Sequence, residues 1–191
     1  MKAELREIYR EKRKLISAPE KIKLTDLLLI NFQKINLPFI SCVHTYLAMY
    51  DKNEFDTQQI IAYLKFRNPG LLVCVPRINK ATSQMENFIY KEDMEVEINK
   101  FGIKEPSDGE KIDAFNIDLV LTPLLSFDTA GNRVGFGKGF YDKLFSQCRS
   151  DVIKIGLSFF EATEIVEDTN QFDVPLNYCV TPKKVYNFST I

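Results

Sequence analysis

A single histidine, His44, serves the whole chain of 191 residues. Any Ser-His-Asp or Cys-His machinery would have to be built on it, yet it sits in an apolar, strand-like stretch where a core imidazole is expected. Cysteine is almost as scarce. Cys42, Cys74, Cys148 and Cys179 are widely scattered, and three lie in apolar, strand-like surroundings that suit reduced core thiols better than a disulfide frame or a zinc site. No run approaches the roughly 18 apolar residues of a membrane span, and the opening Met1-Lys2-Ala3-Glu4-Leu5-Arg6 has no apolar signal core. A cytoplasmic protein with no membrane partner is expected. With a net charge of −1 there is no global field drawing the chain onto nucleic acid, so no nucleic-acid partner is expected and any polyanion site must be local. Internal repeats and low-complexity tracts are missing as well.

What is present suits one globular core. Apolar content is 45% and charge 27%, ordinary for a soluble protein, and the length favours a single domain over residues 1–191. Leu5, Ile8, Tyr9, Lys12, Leu15 and Ile16 recur at helical spacing, which predicts an amphipathic helix over residues 2–16. Lys2, Arg6, Arg10 and Arg13 form a basic stripe beside the apolar one, a pattern that by itself reads as a solvated face. Ser17-Ala18-Pro19-Glu20 is a capping box that opens a second helix, whose apolar residues are dense enough to pack on both sides. The segment Ile40 to Met49 reads as a buried strand. Asp56 or Thr57 caps a helix running to Arg67, ended by Asn68-Pro69-Gly70, and Leu71 to Val75 is a strand stopped by Pro76. Strand, helix, strand is the pattern of a parallel βαβ unit. Further on, Phe88–Tyr90 and Met94–Ile98 read as a hairpin, and residues 102–113 as a loop. Strands are expected over Ile117–Leu121, Val152–Phe159 and Tyr178–Val180, with a helix over Phe140–Cys148. The class is α/β.

One stretch is out of proportion. Four of the eight glycines fall within Gly131 to Gly139, interleaved with Arg133 and Lys138 and closed by Phe140, Tyr141 and Asp142. Glycine costs conformational entropy, so such a cluster implies that the backbone must reach positive φ or approach a ligand closely. Backbone N–H groups, a lysine and a following helix make an anion cradle, most simply for phosphate. The spacing matches neither the P-loop nor the dinucleotide fingerprint, so it does not say which nucleotide. Arg133 would supply a planar fork and Lys138 a mobile point charge. Asp142 stands either as a Mg²⁺ ligand or as a helix-start acid.

The string Leu119-Val120-Leu121-Thr122-Pro123-Leu124-Leu125-Ser126-Phe127-Asp128, followed by Gly131 through Asp142, resembles the hallmark of the 5-formyltetrahydrofolate cyclo-ligase family. Support comes from Lys2 and Leu5-Arg6, Tyr46-Leu47-Ala48-Met49, Glu54-Phe55-Asp56-Thr57, Val75-Pro76-Arg77, Ile155-Gly156-Leu157-Ser158-Phe159 and Asp173-Val174-Pro175-Leu176, so the resemblance covers nearly the whole chain. It implies a single-domain, Rossmann-like layered α/β/α fold with a mostly parallel central sheet. It also implies an ATP- and Mg²⁺-dependent closure of 5-formyltetrahydrofolate to 5,10-methenyltetrahydrofolate, with ADP and phosphate released, by a monomer whose partners are these small molecules. Carried onto this sequence, Lys2, Arg6, Arg133, Val134, Gly135, Phe136, Gly137, Lys138, Gly139, Phe140 and Tyr141 match the ATP site, with Lys138 and Arg133 catalytic. Leu47, Glu54, Phe136, Gly137, Lys138, Gly139 and Phe140 match the folate-facing positions, and Asp142 and Asp173 the Mg²⁺ acids. The chain departs from the family at Phe136, where arginine or tyrosine is commoner, at Phe140, where tyrosine is, and at Asn177, where an acid is. Loss of polar groups at Phe136 and Phe140 motivates an alternative, a folate- or nucleotide-binding module without catalysis.

Overall fold

A computed structural model describes residues 1–79, 81–100 and 102–189. Its helices are α1 (Lys2–Lys14), α2 (Ala18–Phe32), α3 (Gln58–Arg67) and α4 (Phe140–Phe145). Its strands are β1 (Cys42–His44), β2 (Leu72–Ile78), β3 (Met85–Ile89), β4 (Val96–Ile98), β5 (Lys104–Pro106) and β6 (Lys111–Ile112), then β7 (Leu119–Pro123), β8 (Ser126–Phe127), β9 (Arg133–Val134), β10 (Ile153–Leu157), β11 (Tyr178–Val180) and β12 (Val185–Asn187).

Alternation along the strands builds two packed faces. Val43, Val73, Leu119, Leu121, Ile155 and Leu157 point one way and join Leu28 and Phe32 of α2 and Ile60 and Leu64 of α3. Cys42, Cys74 and Val120 point the other way and join Leu144 and Phe145 of α4. Helices on both faces leave the central strands buried on both sides, as a parallel sheet requires. The eight-stranded sheet runs β12-β11-β10-β7-β1-β2-β3-β6. The five strands from β11 to β2 are parallel, and antiparallel partners close both edges. From β1 the chain adds β2 on one side, then returns to add β7, β10 and β11 on the other. Strand order therefore reverses between β1 and β7, the switch point beyond which open α/β sheets bind ligands.

The expected capping holds at α2, where Ser17 Oγ accepts from the Glu20 N–H at 3.4 Å. At α3 it is Asp56 whose carboxylate receives the Gln58 N–H, while Thr57 turns inward to bond Thr45 Oγ1 at 2.8 Å. Other expectations need correction. α2 packs on one side only: Leu28 and Phe32 are buried, whereas Ile22 is 66% exposed. In α1 the buried stripe is Tyr9 and Arg13, and Leu15 points to solvent. Arg13 is tolerated inside because its guanidinium donates to the Leu124 carbonyl.

β2 is not stopped by Pro76 but runs through it. Leu72 N–H and the Cys74 carbonyl both bond toward β1, so Pro76, two residues further, faces the same side, where β1 has already ended. Its missing N–H therefore costs no ladder bond. The expected Phe88/Met94 hairpin does not form. β3 pairs with β2 and β6 instead, and β4 pairs with β5, so the expected loop over 102–113 carries two short strands. The strand expected over Ile40–Met49 keeps sheet geometry only at β1. The helix expected to reach Cys148 stops at Phe145.

Candidate active site

The carboxyl ends of β1, β2 and β7 open into a cleft of about 890 Å³, within the range of small-molecule sites. At one end lies the glycine stretch. β8 and β9 form a small hairpin whose turn is organised by the buried Asp128. One carboxylate oxygen accepts the Ala130 and Asn132 N–H groups, and the other accepts the Asn132 side-chain amide and the Val166 N–H. This turn delivers Arg133 to the cleft. Residues 135–139 then loop out to Gly139, which precedes α4 at φ 67°, a conformation a β-carbon would strain. Gly137 has φ 89°, and a β-carbon there would meet Arg6 Cζ at 3.1 Å. The loop and the basic stripe of α1 are thus in contact, and Arg6 Nε donates to the Gly135 carbonyl at 2.9 Å.

Lys2 also reaches this end, 2.5 Å from Asp173 Oδ2. Burial raises the Asp173 carboxyl, but the Lys2 ammonium and the Asn170 N–H outweigh it and hold the group below the usual carboxylate range. Arg133 joins two segments as a strut: one nitrogen donates to the Val174 carbonyl and another to Asp142 Oδ1, each at 2.5 Å. Its guanidinium lies 4.8 Å from the centre of the Phe145 ring. Asp142 Oδ1 accepts the Val174 N–H as well, which ties Asp142 to the backbone of the residue that follows Asp173. The bonds fall on Oδ1 of Asp142 and Oδ2 of Asp173, leaving the second oxygen of each outside them. No group of three or more metal-ligating side chains exists among the described residues. Two carboxylates with an oxygen to spare suit Mg²⁺, which takes few protein ligands and leaves its other positions to water and phosphate.

The other end is apolar and acid-lined. Tyr46, Leu47 and Met49, on the chain leaving β1, line it with Ile78 at the end of β2, Met85 of β3 and Ile103 before β5. Glu54 is 3% exposed; its Oε2 accepts the Met49 N–H at 2.9 Å while Oε1 has no partner. Burial pushes this carboxyl up, against the Met49 N–H, Arg13 and Lys52, which favour its charged form. Phe136 and Phe140 also line the cleft, and the Lys52 ammonium sits 5.9 Å from the centre of the Phe136 ring. Lys138 lies exposed on the loop at the cleft edge, followed at the start of α4 by Tyr141, whose hydroxyl is buried. Val134 is fully buried beneath the loop, so it shapes the loop and presents no side chain to the cleft. His44 lies behind Tyr141, edge-on at 5.7 Å, and burial pushes its imidazole down to about 3. It is a neutral core residue, as expected.

Sequence reasoning gave no site role to Arg10, Met49, Lys104, Glu105, Asp168 or residues 170–172, all of which line the cleft. Arg10 belonged to the basic stripe and was within reach of that argument. The others arrive from distant segments and carry no local signal.

The switch-point cleft, with cations and a glycine loop at one end and buried carboxylates at the other, defines a doubly wound α/β enzyme acting on a small, anion-bearing substrate. The chain belongs to the 5-formyltetrahydrofolate cyclo-ligase family, whose model matches residues 1–182. The 5-formyltetrahydrofolate cyclo-ligase of Haemophilus influenzae is 33% identical over 133 residues, 64% of this chain and 67% of that protein. The Escherichia coli K12 cyclo-ligase is 29% identical over 144 residues, 71% and 75% of the two chains. An NMR structure of Aquifex aeolicus 5,10-methenyltetrahydrofolate synthetase shares the fold at a TM-score of 0.79 and 24% identity, covering 100% of this chain and 94% of that one. No helix of the described residues is long and apolar enough to cross a membrane.

Proposed function

We propose that this chain closes 5-formyltetrahydrofolate to 5,10-methenyltetrahydrofolate with ATP and Mg²⁺, using the glycine end of the cleft for the nucleotide and the Glu54 end for the folate. The observation that carries this reading is the contact between α1 and the glycine loop, because it draws Lys2, Arg6, Arg133 and Lys138 around one short stretch of backbone in a chain of this family. The formyl oxygen attacks the γ-phosphorus of ATP as the bond to the ADP oxygen breaks. N10 then attacks the formyl carbon, loses its proton, and expels inorganic phosphate, leaving the cationic methenyl bridge. No histidine base is required. Catalysis is positioning and charge stabilisation.

In this scheme Lys2 and Arg6 hold phosphate oxygens. The backbone from Arg133 through Tyr141 wraps the nucleotide, and Lys138 bridges the transferring group. Arg133 fixes the loop against Val174 while presenting charge. Phe136 and Phe140 face the folate ring system, with Leu47 beside it and Glu54 accepting one of its donors. Asp142 and Asp173 would hold Mg²⁺, which neutralises charge on the phosphates. All four cysteines are free thiols, which supports a reducing, cytoplasmic setting.

Purified protein given 5-formyltetrahydrofolate, ATP and Mg²⁺ is expected to generate the absorbance of methenyltetrahydrofolate. No absorbance change, with both substrates recovered intact, would overturn the proposal.

A further inference from the structure

A second acid at the folate end has no assigned work. Glu105 is the central residue of β5 and is 1% exposed, yet it lines the same cleft as Glu54. Its Oε2 is anchored twice, by the Ile78 N–H at 3.0 Å and by the Asn99 side-chain amide at 2.8 Å. Its Oε1 is buried with no partner, and no ion pair to Glu105 is recorded among the described residues. Leaving a buried carboxylate oxygen without a partner is unfavourable, because its lost hydration is not replaced. The anchors explain how β5 is tied to the end of β2, but a purely structural tie needs only one oxygen. Ile78, at the carboxyl end of β2, carries the anchor for Oε2 and itself lines the cleft. Glu105 therefore belongs to a wall where a flat, partly apolar ligand would rest against Ile78, Met85 and Ile103.

Glu54 Oε1 shows the same arrangement beyond β1: one oxygen anchored by a backbone N–H and the other buried without a partner. β1 and β2 are adjacent parallel strands, and the two acids, one tied to the chain leaving β1 and one to the end of β2, line one cleft. A reduced pterin presents the complementary chemistry, an apolar face with a rim of N–H donors, including its 2-amino group.

We infer that Glu105 is a substrate-binding residue whose Oε1 accepts a hydrogen bond from the pterin 2-amino group. This inference rests on the proposed folate reading and deepens it. A buried acceptor built for one donor rejects ligands lacking that donor, because it is then left unpaired.

The test is a cycle between residue and ligand. Wild type and Glu105→Gln are titrated with 5-formyltetrahydrofolate and with its 2-desamino analogue, and KM for ATP is measured in parallel. Glutamine retains an oxygen for the Ile78 N–H, so the variant is expected to melt where wild type does. Wild type should bind the desamino analogue roughly 10- to 100-fold more weakly than the parent, the range of a hydrogen bond to a charged group. The variant should bind the parent more weakly by a similar factor, discriminate between the two ligands by less than about threefold, and keep its KM for ATP. Equal losses on removing the amino group from wild type and variant would overturn the inference while leaving the cyclisation reading intact. Should the variant fail to fold, wild type alone decides: equal affinity for the two folates would overturn it. A wild type that binds no formylfolate would overturn the folate reading together with the inference.

Discussion

The two ends of the cleft are made from different kinds of sequence. The glycine end is nearly continuous: Arg133 to Asp142 supplies the loop, the strut and one acid within ten positions, and Lys2, Arg6 and Asp173 join it from elsewhere. The acid end is assembled from the chain after β1, the end of β2, the start of β3 and the approach to β5. At the glycine end polar groups are paired with one another, Lys2 with Asp173 and Arg133 with Asp142. At the acid end Glu54 and Glu105 each keep a buried oxygen unpaired. A phosphate-bearing ligand exchanges existing ion pairs for new ones. On the proposed reading a folate would instead satisfy acceptors that the fold leaves empty, which would concentrate affinity on a few buried atoms there.

That contrast can be broken by substitution. The largest effect is expected for Lys138→Ala, which removes the cation proposed to bridge the transferring group: kcat should fall by roughly 10²- to 10³-fold while the fold survives. Normal turnover would remove Lys138 from the mechanism. Arg133→Met should differ in kind, because its fork ties β9 to Val174 and Asp142. Breaking a mostly buried pair costs about 3 kcal/mol, so stability and activity should fall together, and a fully stable variant would contradict the strut. At the other end, Glu54→Gln should weaken formylfolate binding by about tenfold while leaving KM for ATP alone. A change confined to ATP would reverse the assignment of the two ends.

The smallest effect lies beneath the site. His44 binds a proton near its ordinary value when unfolded but refuses it until about 3 when folded. Its contribution to stability is therefore complete above the ordinary histidine range and is lost as pH falls through that window, at about 1.4 kcal/mol per pH unit. Urea midpoints measured between neutral pH and pH ~5 should show that slope in wild type and a shallower one in His44→Phe. Equal slopes would mean the imidazole is solvated.

Legibility followed the same division. The glycine cluster announced itself because its strain and charge are local, and the capping box of α2 and the βαβ unit around α3 were readable from short-range patterns. The basic stripe of α1 was ambiguous by itself, since exposed cations are ordinary; the family resemblance singled out Lys2 and Arg6, and the fold docks Arg6 on Gly135 and Gly137. Arg13 was misread for a related reason, its partner being the carbonyl of Leu124 far along the chain. Pro76 looked like a strand end because a sequence cannot tell which side of the strand has lost its neighbour. Glu105 fell within the stretch 102–113 that reads as a loop, since its burial depends on β5 folding against β2.

The central claim is that one cleft brings the formyl oxygen of the folate to the γ-phosphate of ATP. It is tested most directly by supplying 5-formyltetrahydrofolate labelled with oxygen-18 in the formyl group, together with ATP and Mg²⁺, and recovering the inorganic phosphate for mass spectrometry. Phosphate carrying the label is the predicted result; methenyltetrahydrofolate formed alongside unlabelled phosphate would contradict it.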